Sequence, residues 1–168
     1  MHMTNKCAKS KYRPGSALIF FYLAFLSLAH FHCTPEPQPI SYGYDQCMHC
    51  KMIISDARYG SELVTVKAKI YTFDSVECLA AYISKDDFVS QSIHSLWVTN
   101  FLVPHQLINA KTAVYLHSPQ LASPMGLNLT AFSTQASAEE VRRQYPGTII
   151  DWQNVQSIVN QTWMNEGR

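Results

Sequence analysis

Residues 47–52 read Cys-Met-His-Cys-Lys-Met. They bring two thiols, two thioethers and an imidazole within about 20 Å of fully extended chain. Thiolate and thioether sulfurs are soft donors that favour Cu(I) over Mg, Ca or Mn. Met52, two residues after Cys50, is a weak ligand for zinc and a good one for Cu(I). In an extended tract, alternation would put Met48, Cys50 and Met52 on one side and Cys47 and His49 on the other. Met52 also opens the apolar run Met52-Ile53-Ile54, and core packing is its plainer reading. Met125 stands in Ser123-Pro124-Met125-Gly126, a loop whose proline and glycine hold a side chain out rigidly. It reads either as surface packing or, beside the tract at 47–52, as a third soft donor.

Other chemistries fit these residues less well. Cys47-x-x-Cys50 has the spacing of a thiol–disulfide pair, which sits at a helix N-terminus after a strand. The preceding Ile40 to Asp45 offers no such context. A simple disulfide between the two remains open. Structural zinc needs four ligands, but there is no second cysteine pair, and His94, His105 and His117 are scattered. Cys78 falls off the apolar stripe of its helix and reads as a small packing residue at a lobe contact. No Gly-rich phosphate loop, G-x-S-x-G or H-E-x-x-H occurs, so the pattern points to a binding protein rather than an enzyme.

The elements that must position these residues follow from patterning. Residues 61–66 and 69–73 are rich in β-branched and aromatic types and predict two strands joined at Lys67-Ala68. Asp74, with Glu77 three residues on, has capping-box spacing for a helix whose stripe is Val76, Leu79, Ala80 and Ile83. Residues 92–103 predict a strand stopped by Pro104. The second half repeats the plan, with strands at 112–116 and 127–132. A helix capped by Ser137 and Glu140 then runs to Tyr145 before Pro146-Gly147, followed by a strand at 148–152 and a terminal helix at 154–163. The expected fold is α+β: two related small lobes, each an antiparallel sheet covered by one helix.

The first 32 residues read as an export leader: Lys6, Lys9, Lys11 and Arg13, then the apolar run Ala17 to Leu28. That run is too short to span a bilayer, which needs about 20 apolar residues. Cys33 follows, then Thr34-Pro35-Glu36-Pro37-Gln38-Pro39, an extended tether. Leader, cysteine and tether form the layout of a lipoprotein lipidated at Cys33, although His30-Phe31-His32 replaces the usual small residues. An ordinary cleaved signal or an uncleaved anchor are the alternatives. The expected organisation is leader 1–32, tether 33–44, N-terminal lobe 45–103 and C-terminal lobe 104–168. Losing the leader removes four of 13 basic residues and none of the 12 acidic ones, a net of −3. Such a charge argues against nucleic acid as a partner. Only Cys47, Cys50 and Cys78 then remain as free protein thiols, an odd number for a disulfide scaffold.

Three motifs in order resemble the NosL family of lipoprotein copper chaperones. They are Asp45-x-Cys47-x-x-Cys50-x-Met52-x-Ile54, Lys69-x-Tyr71-x-Phe73-Asp74-Ser75-x-x-Cys78, and Ser123-Pro124-Met125-Gly126 with Ala131-Phe132. The resemblance covers about residues 40–155. It implies a tandem sheet-plus-helix fold similar to the small domain class shared with organomercurial lyase. It also implies Cu(I) delivery to nitrous oxide reductase in concert with an ABC-type membrane transporter complex. The protein would be lipid-anchored on the periplasmic side of a membrane. The implied ligands are Cys50, Met52 and Met125, with Cys47 an additional cysteine that many members carry. Lys51 stands where members often have glycine, and no role is assigned to His49.

Overall fold

The structure, a computed structural model, describes residues 34–85 and 92–164. The expected leader and the lipidation expected at Cys33 fall on residues 1–33, which, with Cys7, lie outside the described residues. Among the described residues no helix is long and apolar enough to cross a membrane.

Strand β1 (Ser61–Thr65) is buried at every position because it is flanked on both edges and covered on both faces. It pairs antiparallel with β2 (Ile70–Phe73) and β3 (Ile93–Thr99), and β3 pairs with β4 (Leu107–Asn109). Helix α1 (Val76–Lys85) follows β2 and packs on this sheet. A second, three-stranded sheet is centred on β5 (Val114–His117), between β6 (Leu129–Phe132) and β7 (Thr148–Ile150). Helix α2 (Gln135–Gln144) covers it. Helix α3 (Trp152–Val159) ends in a π-helical turn, Asn160–Met164. The fold is α+β and two-lobed, each antiparallel sheet having its helix.

The differences from the sequence reading have local causes. The strand expected at 92–103 ends at Thr99, because the chain turns over at residues 100–106 and Phe101 N–H bonds to Ala131 carbonyl of β6. Strand β4 then carries the first sheet past residue 104. Helix α2 begins three residues earlier than expected, since Thr134 accepts from Ser137 N–H as its cap and Ser137 lies inside the helix. Asp151 likewise caps α3 through Asn154 N–H.

Glu77 departs furthest from expectation. Its carboxylate is not confined to the start of α1; it is fully buried and reaches the second lobe. There Oε1 accepts from the Ser123 hydroxyl and from Leu129 N–H at 3.4 Å. Burial pushes its pKa up, which favours the neutral acid. A single main core runs across both lobes. It includes Leu63, Phe73 and Leu79 from the first, and Tyr115, Leu129, Val155 and Val159 from the second. A smaller cluster, Leu116, Leu121, Phe132, Ala138 and Val141, lies under α2.

The end of the tether also packs on the first sheet. Ile40 is buried, Tyr42 Oη lies 3.0 Å from Thr99 Oγ1, and Gln38 N–H donates to both oxygens of Glu62 at 3.1 and 3.3 Å. Glu62 is fully buried in β1, and burial raises its pKa to about 7 against the opposing pull of the Gln38 N–H.

Two outcomes follow. In urea unfolding, Glu77→Ala is expected to cost about 3 kcal/mol, because it strands two donors and opens a cavity, while Glu77→Gln costs under about 1. The folded state binds a proton at Glu62 between about pH 4.5 and 7 that the unfolded chain does not. Its contribution is therefore fully present below pH 4.5 and lost as pH rises through 7. Glu62→Gln should raise stability at pH 8 by on the order of 1 kcal/mol and leave it unchanged at pH 4.5.

Candidate metal centre

The 47–52 tract is bent. Gln46 and Ile53 bridge across its base, and Cys47 N–H donates to Met52 carbonyl at 2.8 Å. Met48 N–H bonds to Thr72 carbonyl at 2.8 Å, which fastens the loop to β2. Lys51 N–H returns to Cys47 carbonyl at 3.0 Å, with Lys51 itself in the left-handed region at φ 65°. This reversal cancels the strand-like alternation expected for the tract. Both cysteines turn inward, while Met52 is left 54% exposed and Met48 exposed beside Lys51 Nζ.

Cys78 enters from the first turn of α1. It is fully buried, and its sulfur lies with those of Cys47 and Cys50 so that all three fall within 4.8 Å of one another. All three are free thiols. The packing reading of Cys78 therefore misses its neighbours. Stripe geometry could not find them, because Val76 to Ala81 are all buried, with the sheet on one side and α3 packed on another. The odd thiol count was the available signal.

The cluster is electrostatically uneven. Cys47 is drawn down to about 5 by the Cys78 thiol, against its burial, with further help from the N–H groups of Cys50 (3.5 Å) and Asp74. Cys50 is held up mainly by burial, and Cys78 by its bond to Cys47 and by burial. One thiolate is thus solvated by two thiols and two backbone amides. Burial and then the Cys47 charge push Asp74 up to about 6. His49 stacks on Trp163 of the π-helical turn, ring centroids 6.2 Å apart, and burial lowers its pKa.

Met125 is partly buried against the main core. Its loop is set by Gly126 at φ 82° and by Ser123, whose hydroxyl donates to Glu77 and accepts Asn128 N–H at 2.8 Å. The loop of the second lobe is thereby pinned to the residue beside Cys78.

The two-lobed fold has a solved counterpart. The crystal structure of the copper chaperone NosL from Shewanella denitrificans superposes with a TM-score of 0.62. It is 22% identical and is matched over 71% of this chain and 95% of that one. Among curated proteins none matches. The sequence profile of the NosL family matches residues 40–159, and the chain belongs to that family.

Lys51 occupies a backbone conformation that costs a side chain about 1–2 kcal/mol. Lys51→Gly is expected to raise stability by about 0.5 kcal/mol after the entropy of glycine is counted, and Lys51→Val to lower it by about 1. Paired thermal melts of the two variants check this.

Proposed function

We propose that this protein is an exported, membrane-anchored Cu(I) chaperone that supplies copper for the assembly of nitrous oxide reductase. It would work beside an ABC-type transporter complex, with a lipid on Cys33 as its anchor. The observation that carries this reading is the convergence of free cysteine sulfurs in a member of the NosL family. Soft sulfur donors suit Cu(I), and a set split between thiols and thioethers suits cargo that is held and passed on by ligand exchange. Cys50, Met52 and Met125 are the proposed donors, with Cys47 supporting Cys50. Because Met125 comes from the second lobe, the ion would be gripped from both sides and released by exchange of a thioether for an acceptor's ligand.

A thiol–disulfide enzyme using Cys47 and Cys50 is the second reading, favoured by the thiolate character of Cys47. Access argues against it. Cys47 is fully buried, and the more accessible Cys50 keeps its proton, whereas exchange needs an exposed thiolate.

Competition for Cu(I) with a chromophoric chelator tests the proposal. Cys50→Ser, Met52→Leu and Met125→Leu should each weaken binding, the cysteine change most, by about 10- to 100-fold. Wild-type affinity in Met125→Leu would sink the two-lobe grip. Vigorous insulin reduction indifferent to the methionine changes would favour the enzyme.

A further inference from the structure

The proposed cargo site gives Cys78 no part, yet its sulfur shares one buried point with Cys47 and Cys50. We infer that Cys47, Cys50 and Cys78 form a three-thiolate seat for one soft, thiophilic metal ion, deeper in the fold than the methionine donors. The identity of the ion as Cu(I) rests on the proposed function; the seat itself rests on geometry.

Metal–thiolate bonds of about 2.3 Å place three sulfurs about 4 Å apart around a trigonal ion. The observed limit of 4.8 Å allows closure by side-chain adjustment. The seat's frame is fixed on two elements. Thr72 of β2 holds Met48, the residue after Cys47, while Cys78 belongs to the first turn of a ten-residue helix. A helix N-terminus favours negative sulfur. Neighbouring Glu77 is tied to Ser123, so this turn cannot drift from the second lobe.

Sulfur depth then gives the seat a direction. Met52 is 54% exposed, Cys50 is partly buried, and Cys47 and Cys78 are fully buried. An ion arriving at Met52 and Cys50 moves inward by exchanging a thioether for buried thiolates, and leaves by the reverse exchange. No oxidation state changes. Three metal–sulfur bonds form as the three cysteine sulfurs give up their S–H protons, and those protons pass to solvent. Lys51 and Lys85, whose fields reach His49, offset the negative charge that results.

The test uses the reduced full chain with Cys7→Ser and Cys33→Ser, so that only the three thiols of the described region remain. Cd(II) is titrated by its sulfur charge-transfer absorption and Cu(I) by chelator competition. X-ray absorption counts the sulfurs around each bound ion. Three sulfurs on Cd(II) are expected. Cys78→Ser should lose about a third of the absorption and weaken Cu(I) binding at least about tenfold. Unchanged absorption and affinity in a folded Cys78→Ser would overturn the seat and leave the proposed function standing. Cd(II) bound by three sulfurs without any Cu(I) uptake would remove the proposed function and keep the seat. Should both Cys78→Ser and Cys78→Ala fail to fold by circular dichroism, the sulfur count around Cd(II) in the Met52→Leu/Met125→Leu double variant, which keeps only the cysteine sulfurs of the site, decides. Three supports the seat, and two overturns it.

Discussion

The carboxyl of Glu77 is the constraint on which the arrangement depends. It leaves the first turn of α1 and ends on the Ser123 hydroxyl and Leu129 N–H of the second lobe. A buried acid with these partners is directional in a way that apolar packing is not. It sets where the 123–126 loop lies relative to α1, and therefore how Met125 stands relative to the turn that carries Cys78. The main core supplies most of the cohesion between the lobes. The carboxyl supplies their registration.

Much of the architecture was legible in the chain. The β-branched runs around Leu63-Val64 and Ile70-Tyr71, and the pairing of each sheet with a helix, follow from residue type and period alone. Strand β4 did not, because Leu107-Ile108-Asn109 is too short to show alternation. The two cap assignments slipped for different reasons. Spacing of Ser or Asp with Glu marks a candidate helix start, but Glu77 is drawn to a tertiary partner, and Thr134 caps α2 three residues ahead of Ser137.

The candidate site was legible by composition and not by geometry. Cys47, Cys50, Met52 and Met125 all stood out as soft donors. Their relative depth depended on Lys51 adopting a left-handed backbone, which a lysine does not announce. Cys78 was hidden because periodicity identifies one buried face, and the start of α1 is buried all round. The result is a thiolate at Cys47 placed where water is scarce, sustained by two thiols and by backbone N–H groups of Cys50 and Asp74. Backbone donors suit this role because they cannot titrate away.

Helix α3 and the π-helical turn after it belong by sequence to the second lobe, yet they finish the first. Val155 and Val159 enter the main core beside Leu79, and Trp163 lies flat against His49. A chain made from its N-terminus onward thus has every thiol in hand long before it has the side chains that enclose them. The first lobe is completed by residues 155–163, and the cysteine loop stays open until that stretch has packed. The order of packing leaves a window in which the thiols are in place but not yet enclosed.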